Sequence, residues 1–472
     1  MKLRPYQHDF IANLRLSMAR HQHVLGVMPT GSGKTLCFAY ITKSAIGKGK
    51  RVTVLVHRAL ILDQISDALQ NLGVPHGRIQ PGWPASLNPV QIGMVQTVAR
   101  RHARYPAPDL VIADEAHHVA SPTYTGLLAR WPASRTLGVT ATPERLDGRG
   151  LGAHFGAMVH GPEIPWLIEQ GYLADYDYFV PPLQIDLSHI RALGGDYARD
   201  DLAAALDRPT ITGDAVSHYR RLAAGRPAIA FCVSVAHADH VAEEFENAGY
   251  AAKSIDGTMS EPERRARLHG LADGSLQVLT SCDLIGEGID VPAVAAIIHL
   301  RPTRSLALKK QMDGRGLRIK PDGSKAIILD HAGNADRHGT PRTQHTWTLD
   351  SRRRKATSIS DTLQCSGCYR IFERGEILPC DIGAPNCLMH AKDNAAPSEI
   401  AVIDGELCKL EDSPEWTAGA SLALARGDEW KNLIRRARTP EQLAEIARAR
   451  GYKPGWINHV LRSRQNQKSS RM

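Results

Sequence analysis

The chain has 472 residues, more than a single hydrophobic core usually serves, so we expect two or three domains. No uninterrupted apolar run reaches the roughly 18 residues of a membrane helix, and no secretory signal is expected, which excludes membrane-spanning and exported classes. The net charge is +9, and eight cysteines without an export signal indicate a reducing compartment, the cytoplasm.

Short β-rich runs alternate with helical patterns along most of the chain, which is typical of parallel sheets flanked by helices. The first series of runs is His23–Val27, Arg51–Val56, Val90–Val95, Asp109–Ala113 and Thr136–Val139. The second series is Ala228–Val233, Ala251–Ile255, Leu276–Leu279, Val294–Leu300 and Ala326–Leu329. Apolar residues at helical spacing lie between them, for example in Ala236–Ala248 and Glu261–Leu271. The pattern predicts two similar α/β domains in tandem.

Changes in composition predict where these domains begin and end. Pro181-Pro182 and Gly194-Gly195 interrupt the pattern between the two series, and the alternation stops after about Ala332. We therefore assign residues 1–190 to the first domain, 191–335 to the second, 336–362 to a linker, 363–392 to a zinc-binding module, 393–427 to a connecting segment and 428–472 to a basic helical tail.

A glycine-rich loop follows the first predicted strand. Such a loop, opening a helix, points backbone N–H groups inward to bind phosphate, and Gly31 and Gly33 allow the close bend. Lys34 is expected to reach the β- and γ-phosphates and the Thr35 hydroxyl to bind Mg²⁺. Met28 stands where the usual pattern has a glycine. The predicted nucleotide-binding loop comprises Thr30, Gly31, Ser32, Gly33, Lys34 and Thr35.

Two adjacent carboxylates, Asp114 and Glu115, follow the strand-like run Leu110–Ala113. They stand at a strand's carboxyl end, where ligands bind in open α/β sheets. Asp114 is predicted to hold Mg²⁺ and Glu115 to polarise the attacking water. The alternative, a surface acidic turn, is disfavoured by the phosphate-binding loop upstream.

The remaining groups of the nucleotide site are predicted to come from a second, distant segment, with Gln311, Arg315 and Arg318. Charge builds on the γ-phosphate oxygens in the transition state, and a guanidinium brought from elsewhere stabilises it, with an effect of about 10³–10⁵ in rate. The alternative is a pair of exposed arginines on one helix face. If the arginines come from the second domain, ATP hydrolysis requires domain closure.

These motifs, in this order over about Leu3–Gly333, resemble those of the superfamily 2 helicases, which implies two RecA-like domains. Leu3–Gln7 resembles the adenine-reading Q motif, which implies base contacts from Arg4 and Gln7. Asp114–His117 has the DEAH form of motif II, and Gln311–Arg318 resembles motif VI. The other resemblances are Val54–Arg58 to motif Ia, Gln96-Thr97 to the next strand-contact motif, Thr140–Pro143 to motif III, Phe231–Ser234 to motif IV and Thr280–Pro292 to motif V.

The resemblance also implies particular contacts and a setting. Motif V implies nucleotide contacts from Gly288 and Asp290. Arg58, Thr97, Thr142 and Thr280 are implied to contact nucleic-acid phosphates, although threonines at strand ends are equally often helix N-caps. Leu137–Leu146, Leu300–Thr303 and Leu329–Asn334 are similar to RadD-type bacterial and prophage helicases. That similarity implies DNA repair or phage replication in the nucleoid of a bacterial or phage-infected cell, with single-strand-binding or repair proteins as partners.

Four cysteines beyond the second domain form a candidate zinc site. Cys365 and Cys368 have knuckle spacing, whereas Cys380 and Cys387 are more widely spaced, with His390 as an alternative fourth ligand. Free thiols are the other interpretation. Residues 430–472 hold eleven Lys and Arg against Glu441 and Glu445, which gives 11 − 2 = +9. This end is either a DNA-binding surface or a solvated helix.

Together these features predict an ATP-dependent helicase or translocase that acts on DNA and uses ATP, Mg²⁺ and structural Zn²⁺. An RNA helicase is the first alternative, because the motifs do not distinguish the two sugars. A nucleic-acid-binding or annealing factor, whose ATP site only switches affinity, is the second.

Overall fold

The computed structural model describes residues 2–143, 150–180, 190, 192–193, 196–197, 202, 209–282, 294–350, 362–364 and 370–373. The chain divides into two compact units, Met1–Met389 and His390–Met472, and every described residue lies in the first. Among the described helices, none combines the length and apolar character needed to cross a membrane.

A seven-stranded parallel sheet forms the first domain. Its order is β3-β4-β2-β5-β6-β1-β7, as expected of continuous Val- and Ile-rich runs buried on both faces. The strands are β1 (His23–Val27), β2 (Val52–Val56), β3 (Gly77–Ile79), β4 (Val90–Met94), β5 (Leu110–Asp114), β6 (Arg135–Thr140) and β7 (Ala157–His160). The segments that follow β1, β2, β4, β5 and β6 therefore meet at one edge of the sheet.

Helices connect these strands. They are α1 (Pro5–Arg20), α2 (Lys34–Ile46), α3 (Ala59–Asn71), α4 (Val95–Arg101), α5 (Pro122–Leu128) and α6 (Ile164–Glu169), with short 3₁₀ turns at His102–Arg104 and Ala116–His118. Proline opens α1 and α5, where its missing N–H would in any case have no partner within the helix.

The second domain contains an eight-stranded sheet of order β12-β13-β11-β14-β15-β8-β17-β16. The strands are β8 (Tyr176–Phe179), β11 (Ala228–Phe231), β12 (Ala252–Ile255), β13 (Val278–Ser281), β14 (Ala296–His299), β15 (Ala326–Asp330), β16 (Thr362–Gln364) and β17 (Arg370–Glu373). Pairing is parallel as far as β8, after which β17 and β16 continue antiparallel. A separate hairpin joins β9 (Ala192–Leu193) to β10 (Asp196–Tyr197).

The helices of the second domain are α7 (Pro209–Leu222), α8 (Val235–Asn247), α9 (Glu261–Asp273), α10 (Leu306–Gly316) and α11 (Asn334–His338). Three of them begin with a serine cap, in which the hydroxyl of Ser234, Ser260 or Ser305 accepts a hydrogen bond from the backbone N–H three residues later. The caps explain why α8, α9 and α10 start where the sequence pattern changes.

The chain crosses between the sheets earlier than the predicted boundary at residue 190. β7 is the edge strand of the first sheet, whereas β8, which begins at Tyr176, pairs with β15 in the second. The prolines and glycines near residues 181–195 indicated a break, but sheet membership is decided by pairing with a strand about 150 residues downstream.

The segment after the second domain also departs from the predicted organisation. Trp347 and Leu349, within the predicted linker, pack against the apolar core of the first domain. β16 and β17, at the start of the predicted zinc-binding module, extend the second sheet instead of forming a separate unit. The remainder of that module, the connecting segment and the basic tail lie outside the described residues.

Candidate nucleotide and nucleic-acid site

The phosphate loop bends sharply between β1 and α2. Gly31 and Gly33 have φ values of +83° and +85°, a region that side-chain-bearing residues rarely adopt. Inside the bend, Ser32 Oγ donates to the Pro29 carbonyl at 2.6 Å, and Lys34 Nζ donates to the same oxygen at 3.2 Å. Lys34 thus contacts the loop from the N-terminus of α2, the end of a helix where proteins commonly bind anions.

Met28 departs from the usual loop pattern, and the neighbouring strand accommodates it. The Met28 side chain is fully buried, and a Cβ on Gly161, just beyond β7, would overlap Met28 Cγ. Because Gly161 has no side chain, it leaves the space that the Met28 side chain occupies.

The residues of the predicted Q motif hold the phosphate loop. Gln7 Nε2 and the Tyr6 hydroxyl both donate to the Ser32 carbonyl, at 2.9 and 2.8 Å, and Gln7 Oε1 accepts from the Arg4 N–H at 2.9 Å. The Arg4 guanidinium lies 5.0 Å from the centroid of the Tyr172 ring. Tyr6 was not among the predicted site residues, although it lies within the Leu3–Gln7 run that signalled the motif.

Asp114 is the last residue of β5, which lies between β2 and β6, and Glu115 follows it. Glu115 has φ 48° and is the only non-glycine residue with positive φ in the described part of the chain. Such backbone strain is concentrated at functional sites, because the surrounding structure must impose it. Burial, and then the neighbouring Glu115 charge, raises the pKa of Asp114 even though Lys34 acts in the opposite direction.

Helix α10 brings the arginines of the second domain to the phosphate loop. A Cβ placed on Gly314 would lie 2.6 Å from Thr30 Cβ, so only a glycine allows this approach. One placed on Gly31 would lie 3.9 Å from Arg318 Cγ. Arg315 and Gln311 are buried at this contact. The two distant segments therefore lie against each other.

The pKa of Lys34 is affected by charged groups from both domains. Burial lowers it, Glu115 and Asp114 raise it, and Arg315 and Arg318 lower it further. A cluster in which three cations surround two carboxylates, with backbone N–H groups beside them, suits a polyanion such as a nucleoside triphosphate.

The donor set also fits magnesium. Thr35, in the first turn of α2, offers a hydroxyl, and Asp114 offers a carboxylate, both hard oxygen ligands of the kind that Mg²⁺ takes alongside phosphate oxygens. No group of three or more His, Cys, Asp or Glu side chains that could hold a metal ion occurs within the described ranges. The predicted zinc ligands Cys365, Cys368, Cys380 and Cys387 lie outside those ranges, as do Gly288 and Asp290.

His117 links the carboxylate segment to the motif III segment, a role that the sequence did not reveal. Its Nδ1 lies 3.3 Å from Thr140 Oγ1 and 3.5 Å from Glu115 Oε2. Thr140 Oγ1 in turn donates to the Thr142 carbonyl at 2.8 Å. His117 thus connects the carboxylate segment to Thr140 and Thr142 through a chain of polar contacts.

The four predicted nucleic-acid contacts differ in accessibility. Arg58, the residue before α3, and Thr97, in α4, are half-buried and follow the adjacent parallel strands β2 and β4. Thr142 and Thr280 are fully buried, and the Thr280 hydroxyl donates to the Ala238 carbonyl at 2.6 Å. In this arrangement the Thr142 and Thr280 side chains are not exposed to solvent.

Two family models match the chain in the expected order. The model described as "Type III restriction enzyme, res subunit" matches residues 1–145, and the helicase conserved C-terminal domain matches residues 214–320. These spans contain the phosphate loop and the arginine helix respectively.

Comparison with individual proteins extends the match over most of the chain. A 51.5 kDa protein of a Lactococcus phage is 33% identical over 84% of this chain and 85% of its own length. The candidate ATP-dependent helicase IRC3 of Saccharomyces cerevisiae is 27% identical over 70% of this chain, which spans about half (51%) of that protein.

A solved structure shares the fold. That of the ATP-dependent type ISP restriction-modification enzyme LlaBIII bound to DNA matches with a TM-score of 0.54 at 18% identity, over 70% of this chain and 27% of that one. With the site geometry, the two domain matches and the phage relative in agreement, the chain belongs to the superfamily 2 helicases, a family of ATP-dependent nucleic-acid enzymes.

Proposed function

We propose that this protein is a nucleic-acid-stimulated ATPase that translocates on or unwinds DNA, single-stranded or branched, in repair, recombination or phage replication. The observation that carries the proposal is the packing of the arginine helix α10 against the phosphate loop at Gly314 and Thr30. Because the two segments belong to different domains, the site is complete only when the domains are together. ATP hydrolysis and domain movement are thereby linked.

Each charged group has a distinct part in the reaction. The loop N–H groups and Lys34 bind the β- and γ-phosphates, while Thr35 and Asp114 would hold Mg²⁺, which would neutralise phosphate charge. Glu115 orients and polarises the attacking water. Arg315 and Arg318 stabilise the charge that develops on the γ-phosphate oxygens and disappears when phosphate leaves, so the attraction between the domains weakens after hydrolysis.

One observation favours DNA as the polymer. The LlaBIII structure that shares this fold is bound to DNA. Arg58 and Thr97 lie at the sheet edge after β2 and β4, and in this proposal they would contact phosphates without reading bases, as stepping along a nucleic-acid strand requires. RNA unwinding is the alternative, because phosphate contacts are common to both polymers.

The finer assignments from sequence also belong to this proposal. Similarity to RadD-type helicases favours a DNA-repair or phage-replication role with single-strand-binding or repair proteins as partners, and Asp114–His117 is assigned as the DEAH form of motif II. Structural zinc at Cys365, Cys368, Cys380 and Cys387 would join segments too short to form a core of their own, with free thiols as the alternative. A DNA contact by the basic end, residues 428–472, would raise affinity by releasing counterions.

The test measures ATP hydrolysis by the full chain with single-stranded DNA, duplex DNA, forked DNA and RNA of matched sequence. We expect stimulation by DNA, strand displacement on the fork, and loss of turnover in Lys34→Ala and Glu115→Gln without loss of folding. Normal turnover in either variant would contradict the site assignment. Stronger stimulation by RNA would favour the RNA helicase, and turnover without displacement would favour an ATP-switched binding factor.

A further inference from the structure

The segment that follows α11, residues 339–349, runs from the second domain to the first, and we call it the strap. Its beginning is fixed beside β8 of the second domain. The Arg342 guanidinium contacts Asp175 Oδ1 at 2.8 Å, and the Arg342 N–H donates to the Tyr176 hydroxyl at 3.2 Å. Thr340 N–H donates to Thr343 Oγ1 at 3.0 Å, which closes a turn before the chain departs.

The end of the strap is fixed to the first domain. The Gly152 N–H donates to the Leu349 carbonyl at 2.9 Å, and the side chains of Trp347 and Leu349 pack against the apolar cluster that contains Leu151 and Phe155. Two glycines make this contact possible. A Cβ on Gly150 would overlap the Leu349 carbonyl oxygen, and one on Gly152 would lie 3.0 Å from it.

Between these ends the strap passes over the arginine helix. The Lys310 ammonium lies 5.4 Å from the centroid of the Trp347 ring, and His345 stacks on the same ring with centroids 5.6 Å apart and planes at 18°. Lys310 lies one helical turn before Gly314, on the same face of α10. Lys310, His345 and Trp347 also line one cavity together with Pro29 and Thr30 of the phosphate loop.

We propose that the strap holds α10 against the phosphate loop and that Trp347 is a positioning residue for Arg315, in that helix, and Arg318, just beyond its end. The strap is anchored at both ends and touches α10 in the middle, so it limits how far the arginine helix can move from Thr30. A displacement of about 1 Å at a reacting centre can reduce the rate by about 10²-fold. The inference rests on the proposed ATP hydrolysis between the domains.

The test uses Gly150→Ala in the full chain, which places a methyl group against the Leu349 carbonyl and changes no side chain of the nucleotide site. Gly126→Ala is the matched control, because Gly126 is an exposed glycine of α5 with open space where its Cβ would lie. We expect Gly150→Ala to lower kcat by about tenfold or more, with little change in KM for ATP, and to speed amide hydrogen exchange in residues 345–350. The control is expected to match the wild type in both measurements.

Substitution of Trp347 gives an independent measurement if Gly150→Ala reduces folding. Trp347→Ala is expected to lower kcat as Gly150→Ala does, and Trp347→Phe, which keeps a ring under Lys310, to recover most of it. Faster exchange in the strap with unchanged kcat, or equal losses in the Ala and Phe variants, would overturn the inference.

Failure of the proposed function gives a different result. If the wild-type chain hydrolyses no ATP with any polymer, the function fails, whereas exchange in residues 345–350 still tests whether the strap is docked. Unchanged exchange in Gly150→Ala would then overturn the docking itself.

Discussion

Replacing Asp313 should destabilise the second domain strongly, because its buried carboxylate lies within 4 Å of two other buried groups, the Lys309 ammonium and the His299 imidazole. Oδ2 lies 2.5 Å from Lys309 Nζ, and Oδ1 lies 3.0 Å from His299 Nε2. All three side chains are at most 1% exposed. Burial alone would raise the pKa of Asp313, but Lys309 and His299 outweigh it and the pKa is lowered. The carboxylate is therefore charged in the folded protein.

The magnitude follows from this burial. Asp313→Asn keeps an acceptor oxygen for His299 but leaves the Lys309 ammonium buried without its counter-ion. Removing one partner of a buried ion pair costs about 3–5 kcal/mol. At about 2–4 °C per kcal/mol for a domain of this size, the melting temperature should fall by about 6–20 °C.

A double-mutant cycle tests the reasoning by urea unfolding, followed by circular dichroism. Lys309→Met in the Asp313→Asn background removes the unpaired cation while retaining much of its volume, so most of the lost free energy of unfolding should return. The control is the exposed pair Lys253–Glu246, at a similar 2.6 Å but with side chains 51% and 41% exposed. Glu246→Gln should cost less than about 1 kcal/mol. A similarly small loss in Asp313→Asn, or no recovery in the double variant, would refute the role of burial.

Three further predictions follow from the site and its surroundings. Arg315→Ala should lower kcat by about 10³-fold or more, while the affinity for ATP, measured by equilibrium binding, changes little. An equal loss of kcat and of ATP affinity would contradict the assigned role of Arg315. Arg221→Ala, at an exposed position, is the control. Gly33→Ala should weaken ATP binding more than Gly49→Ala does, because both positions have positive φ but only a Cβ at Gly33 would overlap Gln7 Nε2; equal effects in calorimetry would contradict this. Burial, and then His218 and His299, lower the pKa of His331 to about 3. Its contribution to the free energy of unfolding is therefore full above pH 6.5 and decreases as the pH falls towards 3, because His331 binds a proton in the unfolded chain before it does so in the folded protein. Stability measured between pH 4 and 7 should therefore vary less with pH in His331→Gln, and an unchanged slope would argue against a buried neutral histidine.

Local sequence determined the repeated elements and the nucleotide-binding motifs. β1 was predicted at its observed bounds, and β5, α8 and α9 to within two residues, because each depends on an apolar period and on caps within a few residues. The phosphate loop and the acidic pair were likewise predictable, since their chemistry lies in consecutive residues at the end of a strand. The arginine helix was also predicted, because its spacing has meaning only beside a phosphate-binding loop.

Tertiary structure decided what depends on contacts between distant segments. The sheet to which β8 belongs, the burial of Thr142 and Thr280, and the ion pairs of Asp313 follow from neighbours that no local pattern names. The packing of Trp347 against the first domain is decided in the same way. The polar segment that was predicted to be a linker is held there by contacts with Gly150 and Gly152, about 200 residues earlier. Sequence periodicity reports which face of an element is apolar, whereas only packing decides which partner covers it.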